Sequence, residues 1–118
     1  MLYDKHNIFA KIIEGKVQAN KLYEDDKILA IHDINPVAPI HVLVIPKEYY
    51  IDYSDFIQKA SAHDIKYYFT KINEIIQLLD LLHDGYRLVT NKGSESGQTI
   101  FHFHTHIIGG RRISGLAG

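Results

Sequence analysis

The strongest constraint on the fold of this 118-residue chain is the run Phe101-His102-Phe103-His104-Thr105-His106-Ile107-Ile108. A strand sends successive side chains to opposite faces, whereas a helix would scatter three such imidazoles around its circumference. The two-residue period therefore predicts a strand, drawn over Thr99 to Ile108. His102, His104 and His106 share one face of it, and Phe101, Phe103, Thr105 and Ile107 share the other. The apolar face reads as core and the histidine face as chemistry.

The remaining elements are arranged to carry that strand. Ile8, Phe9, Ile12 and Ile13 recur at helical spacing, with Asn7 or Asp4 as N-cap and Gly15 as the stop. Leu22 to Glu24 and Lys27 to His32 read as a hairpin around Asp25-Asp26. Asp33 to Pro39 is a loop, because two prolines remove backbone donors and disfavour helix before them. His41 to Ile45 is a strand ended by Pro46. Tyr49 to Lys59 reads as a surface segment with one helical turn. Ser61 and Asp64 form a capping-box pattern ahead of a long helix whose apolar positions run from Ile65 to Leu82, with His83-Asp84-Gly85 ending it. Tyr86 to Asn91 is a strand, Gly93 to Gln98 a polar loop, and Ile113 to Gly118 a tail with little pattern. Two helices and five strands, mostly in hairpin order, predict one α+β domain over 1–118 built on an antiparallel sheet.

Composition narrows the function. A net charge of −1 supplies no global basic field for nucleic acid or an acidic membrane. With no cysteine there is no disulfide framework, thiolate nucleophile or cysteine-based zinc site. No stretch reads as a signal peptide or a membrane span, and a cytoplasmic protein is expected.

Three readings of the histidines compete. They could simply alternate on a solvated face, although neighbouring imidazoles repel when charged. They could bind zinc, but the outer two lie ~13 Å apart along a strand, so one ion would take two of them and need His41 or Asp33 as well. Or they could perform nucleophilic and acid–base chemistry on an anionic substrate, with neutral imidazole as the nucleophile. The adjoining Gly93 to Thr99 loop offers hydroxyls, an amide and backbone donors to a phosphate, although it lacks a Walker ending.

His102-Phe103-His104-Thr105-His106-Ile107-Ile108 resembles the signature of the histidine-triad (HIT) family, a histidine alternating with apolar residues. The run His32 to Lys47 looks like the loop and strand of that family's Hint branch, and so do Gly97-Gln98-Thr99 and Gly109-Gly110-Arg111. Ile8-Phe9 to Gly15 and Tyr23 to Asp26 match that branch's opening, and the likeness covers roughly residues 5 to 112.

The resemblance implies a HIT-like fold: a five-stranded antiparallel sheet with one short and one long helix, dimerising into a continuous sheet. The stripe on the long helix, including Ile75 and Leu78, and the strand Tyr86 to Asn91 are the interface candidates. It also implies hydrolysis of purine nucleotides at the α-phosphate, with no metal required and zinc not expected in catalysis. His104 would attack phosphorus, His106 would contact the phosphate and assist the leaving group, and His102 and His41 would support His104 from behind. Asn91, Gly97, Gln98 and Thr99 would complete the phosphate site. Asp33 would bind the ribose hydroxyls, and Phe9, Ile12, Val17, Ile31 and Ile34 would line the base. Family transferases carry glutamine where His106 stands, so His106 points to hydrolysis. The Hint-like segments favour a phosphoramidase over a dinucleoside-polyphosphate hydrolase. A nucleotide-binding interaction module with residual catalysis is the alternative, and the tail lacks the aromatic residue common in Hint relatives.

Overall fold

The computed structural model describes residues 1–117; Gly118, the end of the expected domain and tail, lies outside them. Five antiparallel strands form one sheet in the order β1-β2-β3-β5-β4: β1 Lys21–Glu24, β2 Ile28–His32, β3 Ile40–Pro46, β4 Tyr86–Val89 and β5 Thr105–Gly109. The strand period divides the core in two. Ile28, Ala30, Val42, Val44 and Ile107 face α2 (Tyr53–Lys59) and α3 (Ala62–Leu78), where they pack with Phe56, Tyr68, Ile72 and Ile76. The alternate residues Leu29, Ile31, Leu43 and Ile45 face α1 (Ile8–Ile13) and pack with Phe9 and Ile12. Each sheet face thus gains an apolar cover, and the histidines emerge on the α1 side.

Caps fix the helix starts. Asn7 accepts from the Ala10 N–H, Asp52 from the Asp55 N–H and Ser61 from the Asp64 N–H, each satisfying a donor that the first turn leaves free. The segment expected to hold one helical turn is the seven-residue α2, started by Asp52. The long helix stops at Leu78 rather than at His83-Asp84-Gly85, although the apolar spacing continues to Leu82. Asp80 there takes φ 59°, its N–H donates to the Gln77 carbonyl, and the Leu81 N–H reaches back to that of Ile76. That paired bonding is a Schellman closure with an aspartate in the left-handed position. It turns buried Leu81 onto the core beside Ile76.

The histidine strand is also shorter than expected. Only Thr105–Gly109 joins the ladder, pairing Val44 with Thr105 on one side and Val89 with His106 on the other. Among the described residues β4 is the edge of the sheet on that side. The preceding residues bond elsewhere: the Phe103 N–H donates to Tyr50 (2.7 Å) and the Thr90 hydroxyl to the His104 carbonyl (2.9 Å). The alternation survives the loss of the ladder, since Phe103 stacks on Phe56 at 4.6 Å on the helix side while His102 and His104 turn toward α1. Thr105, the least apolar residue of the motif, is explained by Tyr68. The buried Tyr68 hydroxyl lies 2.8 Å from the Thr105 hydroxyl and donates to the Val44 carbonyl at 2.9 Å, so neither polar group is left unsatisfied.

Candidate active site

Strand register brings His41 to the other histidines. His41 pairs with Ile108 and Leu43 with His106, so His41 and His106 are diagonal neighbours on the α1 face. His41 Nε2 lies 2.9 Å from His106 Nδ1 and 3.3 Å from Asp33 Oδ2. The rings of His104 and His106 are 5.1 Å apart, and the Phe9 ring meets His104 edge-on at 4.9 Å. His41 therefore stands behind His106, not behind His104 as the resemblance implies.

Hydrogen-bond partners fix which nitrogen of each neutral ring carries the proton, since a carbonyl only accepts and a backbone N–H only donates. His104 Nδ1 faces the His102 carbonyl at 2.7 Å and must donate, which leaves Nε2 with a free lone pair. The Val37 N–H donates to His41 Nδ1 at 3.2 Å, so the proton of His41 sits on Nε2 and points to His106 Nδ1. His106 then carries its own proton on Nε2. Among the described residues no protein group bonds Nε2 of His104 or of His106. The cluster presents an acceptor on one ring and a donor on the next.

His102 has a different place. Its ring is fully buried, with Nε2 donating to the Pro46 carbonyl at 2.7 Å and Nδ1 bonded to the Tyr3 hydroxyl. Both nitrogens are occupied, and its tie to His104 runs through its backbone carbonyl. Burial lowers the pKa of His102 to about 4, assisted by the neighbouring His104. Burial also lowers that of His106 to about 4, with His104 and His41 adding to it and Asp33 opposing. His104 is lowered by burial as well, against the opposing effects of the His102 carbonyl and Asp33. All three rings are therefore uncharged at neutral pH.

The loop before the triad holds itself together. Gln98 is buried, accepting from the Gly93 N–H and donating to the carbonyls of Ile51 and Ile100. Asn91 donates to the Ser96 carbonyl, Gly97 is left-handed at φ 84° and Thr99 is exposed. Among the described residues no hydrogen bond joins Asn91, Gly97, Gln98 or Thr99 to a histidine ring. Phe9, Ile12 and Ile31 are buried together with half-buried Val17 beside them, whereas Ile34 is 90% exposed on the Asp33 loop. That loop is pinned by Arg111, which donates to the Val37 carbonyl at 3.0 Å. Gly110 allows the approach, because a Cβ there would meet Pro39 Cβ at 3.0 Å and its φ is +91°.

Among the described residues, Asp33, His41 and His106 could hold a cation, with one donor atom each within 4.8 Å of one another. For His41 to offer Nε2, its proton would have to move to Nδ1, where it would face the Val37 N–H donor to donor. Tyr3, Pro46 and Val37 escaped the sequence reading. Two act through backbone groups, and Tyr3 stands in an opening segment without periodicity.

The α1 face of this antiparallel α+β sheet thus gathers His41, His104 and His106 around two free imidazole nitrogens, with His102 buried behind them. The HIT domain profile matches residues 14–113, and an uncharacterised HIT-like protein of Rickettsia prowazekii is 57% identical over 98% of this chain and 96% of its own. A 14 kDa zinc-binding protein of Zea mays is 38% identical over 96% of this chain and 88% of its own. A HIT family hydrolase from Clostridium thermocellum superposes with a TM-score of 0.86, at 37% identity, over 96% of this chain and 97% of that one. The chain belongs to the HIT family.

Proposed function

We propose that this chain is a purine nucleoside phosphoramidase, hydrolysing the P–N bond of adenosine or guanosine 5′-phosphoramidates through a nucleotide held covalently on His104. The observation that carries the reading is the His104 Nδ1–H bond to the His102 carbonyl, which leaves Nε2 unprotonated and unpartnered. Nε2 attacks the α-phosphorus, and the P–N bond breaks. The departing amine takes the Nε2 proton of His106 as Nδ1 of that ring takes the Nε2 proton of His41. A proton from solvent restores His41, so that no ring is left anionic and His106 Nε2 is free to accept from water. Water, deprotonated by His106, then displaces His104 and releases the nucleoside monophosphate. Asp33 Oδ1 already accepts from the Asn35 N–H, and the carboxylate retains capacity for ribose hydroxyls. Phe9, Ile12, Val17, Ile31 and Ile34 contact the base, and Asn91 with Gly97 to Thr99 contacts the phosphate.

The proposal places the reaction in the cytoplasm. Among the described residues no helix is long and apolar enough to cross a membrane. It acts as a homodimer, which is supported by β4 at the sheet edge and by exposed Leu78, Leu82, Tyr86 and Leu88 nearby in sequence. The test is steady-state hydrolysis of adenosine phosphoramidates. His104→Ala abolishes turnover while nucleoside monophosphates still bind; undiminished turnover defeats the assignment. Wild-type rates near background with micromolar nucleotide binding would favour an interaction module, and preference for dinucleoside polyphosphates the other hydrolase class. A zinc-dependent reading draws on the Asp33, His41 and His106 cluster. Activity lost to chelator and restored by zinc would favour it.

A further inference from the structure

We propose that Tyr3 is a positioning residue for the nucleophile, acting within a hydrogen-bond chain that runs from the N-cap of α1 to the ring of His102, whose backbone carbonyl holds His104. The inference rests on His104 as the attacking group. Asn7 Oδ1 accepts from the Ala10 N–H at 2.9 Å, which fixes the orientation of its amide. Asn7 Nδ2 must then donate to the Tyr3 oxygen, also at 2.9 Å, and to the Asp4 carbonyl at 2.8 Å. With that acceptor site filled, the Tyr3 hydroxyl proton is directed at His102 Nδ1. His102 is held as the Nε2–H tautomer, donating to Pro46, and its own carbonyl takes the Nδ1–H of His104. The donors run from Asn7 through Tyr3 to the His102 ring; beyond it the tie is the His102 backbone carbonyl, to which His104 Nδ1–H donates back, leaving the lone pair on His104 Nε2.

The segment is built as a strap. The Tyr3 ring stacks on Tyr49 at 4.6 Å with the planes 6° apart, and the Tyr49 hydroxyl donates to Glu14 beyond the end of α1. Tyr3 and Tyr49 both meet the His102 ring edge-on, at 5.5 and 6.0 Å. The stack places the hydroxyl, and the hydroxyl selects the tautomer. If His102 carried its proton on Nδ1, the Nε2 lone pair would oppose the Pro46 carbonyl oxygen.

Two variants separate orientation from packing. Tyr3→Phe keeps the stack and removes only the hydroxyl. Asn7→Asp keeps a competent helix cap but replaces the amide donor with a carboxylate, which takes the phenol proton away from His102. Each is expected to lower kcat for phosphoramidate hydrolysis about fivefold to tenfold, the equivalent of one neutral hydrogen bond, with KM unchanged. The double variant should lose no more than either single one, because both break the same chain. Imidazole nitrogen shifts in heteronuclear NMR read the tautomers without reference to turnover. Wild type should show His102 protonated on Nε2 and His104 on Nδ1, and Asn7→Asp should move part of the His102 population to Nδ1–H. Unchanged tautomers, or a kcat loss in step with a lowered melting temperature, would overturn the role of Tyr3. A wild-type protein that shows these tautomers yet fails to turn over phosphoramidates would refute the proposed reaction and leave the chain of bonds standing.

Discussion

His102 gives stability a pH dependence whose size follows from its surroundings. Its imidazole has a pKa of about 4 in the folded protein, against about 6.5 in an unfolded chain. Between those values the unfolded state binds the proton and the folded state does not, so stability is full above pH ~6.5 and falls as the pH drops toward 4. At pH 4 the lost share is about 3 kcal/mol, from a shift of roughly two and a half units at 1.36 kcal/mol each. Urea unfolding of the wild type and of His102→Gln across that range measures it. Glutamine does not titrate and can still donate toward Pro46. The advantage of the wild type over the variant should shrink by about 3 kcal/mol between pH 7.5 and pH 4. His104 and His106 titrate in both proteins, so their contributions cancel apart from the smaller His102–His104 repulsion. A difference that stays constant with pH would refute the claim that His102 is buried uncharged.

Three further outcomes follow from the same geometry. The acid limb of kcat/KM should lie below the ordinary histidine value, because burial holds His104 and His106 neutral; a limb at or above pH 6.5 would contradict this. His41→Ala leaves His106 Nδ1 without its donor, so kcat should fall about tenfold to a hundredfold in initial-rate assays, the cost of an unsatisfied partner. Asp33→Ala should weaken nucleotide binding in calorimetry far more than it shifts the unfolding midpoint.

Much of the fold was legible because its signals are periodic. The two-residue alternation from His102 to Ile107 assigned the faces correctly even where the ladder is absent, since packing against Phe56 on one side and Phe9 on the other enforces it. Boundaries were less legible. The end of α3 depends on Asp80 adopting a left-handed conformation against a continuing apolar stripe, and the start of β5 depends on where β4 runs out. In the site, the pairing of His41 with Asp33 and His106 follows from strand register, which no local pattern encodes. The tautomers of His41 and His104 are set by the Val37 N–H and the His102 carbonyl. Every residue owns such groups, so their use depends on the folded backbone alone.

In the proposed reaction one imidazole nitrogen, His104 Nε2, carries the nucleotide between the two chemical steps. Rapid acid quench of the enzyme during turnover of an adenosine phosphoramidate, followed by peptide mapping under conditions that preserve the P–N bond, tests it directly. Adenylate should appear on His104 and be absent from His104→Ala. Adenylate on His102, His106 or His41, or none in an enzyme that is turning over, would contradict it.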